Sequence, residues 1–202
     1  MKLYDGGKVP NARRVRMYLA EKGITVDTVP VDVGAKEHLS QAFLKKNPAG
    51  RVPVLELDDG TIITESVAIC RYFEALHPTP ALFGTTPLEQ AMVVMWLRKA
   101  EFEFYLPVAY AFRHLHPAMA DFEEQVSEWG EANRPRALAG MATLNARLSH
   151  VPYLAGDHFS IADIIAFITV DFLKPAKLAV PDAMTYLKDW YARVAARPSA
   201  GA

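Results

Sequence analysis

The sequence predicts two domains of different class: an α/β domain over residues 1–77, of order βαβαββα around a mixed four-stranded sheet, and an all-α helical bundle over residues 85–202. Three observations carry this. Short β-branched runs alternate with amphipathic stretches only as far as about residue 77; His77-Pro78-Thr79-Pro80 then punctuates the chain and makes 78–84 a linker; everything beyond has helical spacing. A chain of 202 residues, 51% hydrophobic and 22% charged, has enough apolar side chains for two such cores.

Lys2-Leu3-Tyr4 opens the first domain as a strand, and residues 11–21 follow as a helix with Val15, Tyr18 and Leu19 on one face, ended by Gly23. Residues 25–31 read as a second strand. Leu39, Phe43 and Leu44 mark a short helix that stops before Asn47-Pro48, and a hairpin over 52–63 turns at Asp59-Gly60. A third helix points Val67, Ile69, Tyr72, Phe73 and Leu76 inward. The βαβ unit implies parallel strands with a right-handed crossover, and the hairpin adds antiparallel ones. In the second domain a long helix over 88–114 offers Met92, Met95, Trp96, Phe102 and Leu106 to a core. Further helices cover 122–148, 161–173 and 184–196. Ser160 and Asp163 form a capping box for the helix that begins at Ile161, with Phe159 as its hydrophobic staple; this is a folding signal.

Composition excludes several functions. A formal net charge of -1, with no stripe of Lys and Arg among aromatics, leaves nothing to neutralise nucleic-acid phosphates. The apolar runs are too short to span a bilayer, and Met1-Lys2-Leu3-Tyr4-Asp5 lacks the pattern of a secretory signal, so a cytoplasmic location is expected. Cys70, the single cysteine, rules out an internal disulfide and a cysteine metal cluster. Lying among Val67, Ile69 and Phe73, it reads as a buried, inert thiol. His114 and His116, two residues apart, do not share a helix face, and no metal site is expected.

Two local features point to a ligand. Proline within the strand run Val52-Pro53-Val54-Leu55 removes a ladder donor, and a cis Val52-Pro53 bond would turn the Val52 backbone outward to pair with an extended peptide. Glu65-Ser66 then opens an apolar helix whose free N–H groups favour an anion.

Asn47-Pro48, Arg51-Val52-Pro53-Val54-Leu55, Glu65-Ser66, Arg71-Tyr72, Ser160-Ile161-Ala162-Asp163 and Arg197-Pro198-Ser199 together resemble the glutathione S-transferase family over essentially the whole chain. The resemblance implies the glutathione S-transferase fold: a thioredoxin-like, glutathione-binding domain over 1–77 and a helical domain over 85–202 that forms the hydrophobic co-substrate site. Glutathione is then the co-substrate, with no metal. Val52, before a cis Pro53, pairs with its cysteinyl backbone, Glu65 and Ser66 hold its γ-glutamyl ammonium and carboxylate, and His38 and Arg51 reach its glycine carboxylate. Tyr105, Tyr110 and Arg113 correspond to the pocket for a hydrophobic, electrophilic small molecule. A cytoplasmic homodimer serving detoxification is implied as well. The alternative is a non-catalytic glutathione- or partner-binding protein on the same scaffold.

The pattern breaks at the catalytic position. The family places a Ser, Cys or Tyr after the first strand to favour the glutathione thiolate, and aligning Pro10 and Arg14-Val15-Arg16 puts Val9 at the Ser or Cys position. Valine donates no hydrogen bond. Three readings remain open: an Asn11 amide that meets the sulfur, a cation at Lys8 or Arg13, or binding with little activation. Asn11 also suits a plain N-cap role. Tyr4, inside the strand, is expected in the core.

Overall fold

The computed structural model describes all residues, 1–202. It divides into two compact units, one of Met1–Ala81 together with Pro198–Ala202, the other of Leu82–Arg197. The last five residues therefore group with the first unit. Their short 3-10 turn docks on the first helix: the Arg13 guanidinium donates to the Ala200 carbonyl at 2.7 Å, and the Ser199 hydroxyl donates to the Glu21 carboxylate.

In the first unit, strands β1 (Lys2–Asp5), β2 (Asp27–Pro30), β3 (Val54–Glu56) and β4 (Ile62–Thr64) form one mixed sheet in the order β2-β1-β3-β4. β1 runs parallel to β2 and antiparallel to β3, which runs antiparallel to β4. The helices are α1 (Pro10–Lys22), α2 (Gln41–Leu44) and α3 (Ser66–Leu76). The alternation of strand side chains sorts the faces. Tyr4, Val54 and Ile62 fall on one face and pack with Phe43 of α2 and with Val31. Leu3 and Leu55 fall on the other, both fully buried. The expected second strand shortens to four residues. The expected second helix becomes two pieces, a 3-10 turn Glu37–Leu39 and then α2, with Leu39 turned outward. Tyr4 is only half-buried: its hydroxyl donates to Glu56 at 2.6 Å and Lys46 lies over its ring.

The second unit is helical: α4 (Pro87–Lys99), α5 (Leu106–Leu115), α6 (Ser127–Leu148), α7 (Ile161–Asp171) and α8 (Thr185–Ala195). The long helix expected over 88–114 is divided by a π-helical stretch, Ala100–Tyr105, with helical backbone at both of its ends. Gly140 of α6 shows why this stretch matters to packing. A Cβ built there would overlap the Glu103 carbonyl oxygen and lie 2.9 Å from its carbon and 3.0 Å from Phe104 Cα, so only glycine lets the two backbones approach so closely. α6 begins later than expected because the preceding segment is tied to the end of α5. Gln125 donates to the carbonyls of Arg113 and His116, and the Val126 N–H donates to His114 Nδ1. Met95 and Phe102, expected in a core, are exposed, as are Leu88 and Val94.

The Ser160–Asp163 capping box is present, and it does more than cap. Asp163 is completely buried and accepts from the backbone N–H groups of Leu154 and Ser160, both at 3.0 Å, from the Ser160 hydroxyl at 2.9 Å and from the Trp190 indole at 2.9 Å. One carboxylate thus joins the 154–160 loop, α7 and α8. Burial pushes its pKa above the ordinary value, against the pull of these donors.

Candidate active site

Strand register gathers the candidate residues of the first unit at one end of the sheet. Tyr4 pairs with Val54, and Val54 pairs with Thr64. Beyond these pairs the chain leaves the ladder at Gly6 after β1, at Val52-Pro53 before β3 and at Glu65-Ser66 after β4. Three loops distant in sequence therefore emerge side by side. Gly6 is the point where they close up. A Cβ there would overlap Val52 Cγ2 and lie 2.9 Å from Val9 Cγ2 and 3.3 Å from Val33 Cγ2. The absent side chain at Gly6 is what allows Val9, Val33 and Val52 to meet.

The β1–α1 turn is held tightly. Arg16 Nη1 donates to both carboxylate oxygens of buried Asp5, at 2.7 and 2.8 Å, and to the Gly7 carbonyl at 2.8 Å. Asp5 Oδ1 in turn accepts the Gly7 N–H at 2.7 Å, with Gly7 at φ 64°. α1 then starts at Pro10 with Val9 as its N-cap residue, and no side chain caps it. This corrects the N-cap reading of Asn11, which is the second residue of the helix instead. Asn11 Oδ1 is buried and makes no hydrogen bond within the chain. Lys8 is exposed, and Arg13 is tied to Ala200, so neither cation is aimed by the fold at Val9.

Val52-Pro53 is a cis peptide bond. β3 begins only at Val54, so the Val52 carbonyl and N–H stand outside the ladder. Asn47, itself buried, shapes the approach: its amide donates to the Arg51 carbonyl at 2.7 Å and accepts from the Ala49 N–H at 3.1 Å. The Arg51 side chain is exposed. His38 is buried in the 3-10 turn, and its backbone lies against Gly50, next to Arg51. Burial holds its pKa below the ordinary 6.5, so its ring is neutral at pH 7 and offers an anion a donor but no charge.

Glu65 has φ 67° and ψ 120°, a conformation that costs a non-glycine residue about 1–3 kcal/mol and persists where surrounding structure demands it. Its carbonyl accepts the first helical bond of α3, from Ile69 at 3.0 Å, and its side chain is exposed. Ser66, the first residue of α3, is buried with its backbone at the N-terminal, positive end of the helix dipole. A carboxylate seated there meets a hydroxyl and free N–H groups.

The remaining candidates belong to the helical unit. Tyr105 ends the π-helical stretch and is half-buried. Tyr110 packs against His114 and Trp129, with ring centroids 6.3 and 5.9 Å away, and Arg113 is ion-paired with Glu123. Tyr110 and Arg113 are thus engaged within their own unit. Cys70 is fully buried, its thiol pushed up by desolvation. No group of three or more His, Cys, Asp or Glu side chains is arranged to hold a metal ion.

Sequence reasoning missed the Asp5–Arg16 pair, Gly6 and the backbone of Glu65. The Gly6-Gly7 doublet at a strand end was the available signal for the first two. Nothing in the residue type signals a positive φ at Glu65.

Residues 3–81 match the family model "Glutathione S-transferase, N-terminal domain" and residues 105–198 match "Glutathione S-transferase, C-terminal domain". Glutathione S-transferase 2 of Saccharomyces cerevisiae is 43% identical over 203 residues, covering 98% of this chain and 87% of the yeast protein. The crystal structure of Gtt2 from the same yeast superimposes with a TM-score of 0.95 at 42% identity, over 100% of this chain and 99% of that one. A glutathione S-transferase domain-containing protein of Marinobacter aquaeolei superimposes with a TM-score of 0.92 at 42% identity, over 98% of this chain and 99% of that one.

Proposed function

This chain belongs to the glutathione S-transferase family, and from that premise we propose that it is a glutathione transferase whose first unit grips the tripeptide at the sheet end formed by Gly6, Val52-Pro53 and Glu65-Ser66. The observation that carries this is the register, which brings an unpaired backbone edge and a helix N-terminus to adjacent loop ends. The Val52 N–H and carbonyl pair with the cysteinyl backbone. Ser66 and the α3 N–H groups take the γ-glutamyl carboxylate, and Glu65 takes its ammonium. Arg51, with neutral His38 as a further donor, takes the glycine carboxylate.

The reaction is nucleophilic attack by the glutathione sulfur. With an alkyl or aryl halide the new C–S bond forms as halide leaves; with a disulfide the thiolate forms a mixed disulfide and expels a thiolate. A hydroperoxide consumes two glutathione molecules and yields their disulfide, an alcohol and water. A free thiol of pKa about 8.5 is only a few per cent ionised at pH 7, and a downward shift of about two units, worth roughly 2.7 kcal/mol, makes thiolate the major form. We assign this task to the α1 N-terminus and the Asn11 amide, whose Oδ1 finds no partner within the chain. Turned about its last bond, that amide presents Nδ2 to a thiolate. Tyr105 and Tyr110 furnish an aromatic surface for the electrophile, with Arg113 beside them.

The test is calorimetric titration with glutathione, joined to turnover of an aryl halide, hydroxyethyl disulfide and a hydroperoxide. Wild-type binding with turnover of at least one of these, a loss of affinity of about tenfold for Ser66→Ala, and a raised bound-thiol pKa for Asn11→Ala are expected. Binding without any turnover leaves the non-catalytic alternative, and no binding rejects the site.

We further read the chain as a cytoplasmic homodimer. Leu88, Val94, Met95 and Phe102 leave an apolar face exposed along α4 and the π-helical stretch, and a second copy is the occupant expected from the family. Sedimentation of Met95→Glu as a monomer, against a dimeric wild type, checks this.

A further inference from the structure

We infer that Asp5 and Arg16 are the positioning pair of the thiol-facing segment: by locking the Gly6–Gly7 turn they set where Val9, the α1 N-terminus and Asn11 stand against the glutathione sulfur. The inference rests on the glutathione site proposed above. Val9 stands where the resemblance places the family's Ser or Cys. With valine at position 9, no side-chain hydroxyl meets the sulfur, so activation falls to groups whose placement depends on the backbone: the helix N–H groups and an amide on the second helical residue. Electrostatic stabilisation of this kind works only when the donors are already in place, and displacement by about 1 Å can cost about 100-fold.

The turn that places them has one lock. Arg16 reaches back from α1 with a single nitrogen that joins both oxygens of Asp5 to the Gly7 carbonyl, while Asp5 also takes the Gly7 N–H. The end of β1, the turn and the second turn of α1 are thus tied at four bonds of 2.7–2.8 Å. The Asp5 side chain is 9% exposed and that of Arg16 27%, so the pair is shielded enough for the bonds to hold the turn and is no ordinary surface ion pair. Packing closes the arrangement from the other side, where Gly6 is pressed against Val9, Val33 and Val52. The rest of the tripeptide is held by other loops, through Val52, Arg51, Glu65 and Ser66. Loosening this turn therefore reaches the sulfur before it reaches affinity.

The experiment measures three quantities on full-length wild type, Arg16→Gln, Arg16→Lys and Asp5→Asn: glutathione affinity, kcat and KM with an aryl halide, and the bound-thiol pKa from thiolate absorbance against pH. The other ionisable groups at this end of the first unit, among them Lys8, Arg13, Asp32, His38, Arg51 and Glu65, are unchanged in all four proteins. Circular dichroism certifies the fold, and Arg16→Lys keeps the test alive if Arg16→Gln does not fold. Arg16→Gln and Asp5→Asn are each expected to raise the thiol pKa by about one unit and to lower kcat about threefold at pH 7 as the thiolate fraction falls, with affinity, measured at about pH 5.5 where the bound thiol is protonated, altered less than about twofold. Arg16→Lys recovers part of the loss. Opposite pKa shifts in Arg16→Gln and Asp5→Asn would overturn the inference, because a direct charge effect on the sulfur must change sign between them. An unchanged pKa and kcat in a folded variant would overturn it too, as would a loss of affinity as large as the loss of kcat. Wild type that binds no glutathione would overturn both this and the site on which it rests, whereas normal wild-type binding with unaffected variants would overturn this alone.

Discussion

Gly6→Ala is the most direct probe of how the three loops are assembled. The added methyl would overlap Val52 Cγ2 and stand 2.9 Å from Val9 Cγ2, closer than such carbons approach in folded proteins. Both neighbours are β-branched, so neither side chain can swing aside freely; a rotamer forced about 30° from its well costs about 0.5–1.5 kcal/mol. Overpacking of this kind destabilises by about 1–3 kcal/mol, which for a chain of this size lowers Tm by about 2–4 °C per kcal/mol. The strain is relieved most readily by moving the segment before β3, which carries the Val52 backbone. Glutathione affinity is therefore expected to fall about tenfold, a loss of about 1.4 kcal/mol. Calorimetric titration and thermal unfolding measure both effects. Gly6→Ala/Val52→Ala provides the control, since removing Cγ2 removes the worst overlap while leaving the pairing backbone intact. A favourable coupling of about 1 kcal/mol in the double-mutant cycle is expected. A Gly6→Ala protein with wild-type Tm and affinity, or a strictly additive cycle, would refute the close approach of these loops.

Three further outcomes follow from the same structure. Gly140→Ala places its methyl against the backbone of Glu103 rather than a side chain, so it is expected to cost at least as much stability as Gly6→Ala, about 2–3 kcal/mol in denaturant unfolding, and no neighbouring truncation should rescue it. Asp163→Ala leaves buried donors on Leu154, Ser160 and Trp190 unpaired, each worth about 1–3 kcal/mol, and is expected to lose at least about 3 kcal/mol by the same measurement. His38 binds a proton less readily when folded than when unfolded. Its contribution is therefore complete above the unfolded value of 6.5 and is lost as pH falls from there through the lowered folded value. Between pH 7.5 and 5.5 the denaturation midpoint of His38→Gln should fall less than that of wild type, and equal falls would contradict the burial of a neutral ring.

The order of elements, the mixed sheet, the Val52-Pro53 feature and the Ser160–Asp163 box were legible in the sequence because each rests on groups within a few residues of one another. A capping box is written into four positions, and a βαβ unit into two periodicities. Helical spacing was less reliable where it had to choose a partner. Met95 and Phe102 fit an inward stripe, yet both are exposed, since periodicity marks a face without saying what covers it. The π-helical stretch interrupts the period midway, and the bare backbone of Gly140 against which it packs lies 35 or more residues further along the chain.

By itself the sequence pointed to a ligand with an extended peptide backbone and an anionic end, since an outward-turned strand and a helix start that favours an anion are local properties of Val52-Pro53 and Glu65-Ser66. Only the tertiary structure decided how those pieces come together. Register laid three strand ends together, a missing side chain at Gly6 let their loops touch, and Arg16 reached across a helix turn to lock Asp5 and Gly7. The physical reason is that local conformation is set by neighbours in the chain, whereas contacts between distant residues are set by packing, in which the space beside Gly6 and the partner of Arg16 exist only once the sheet has closed.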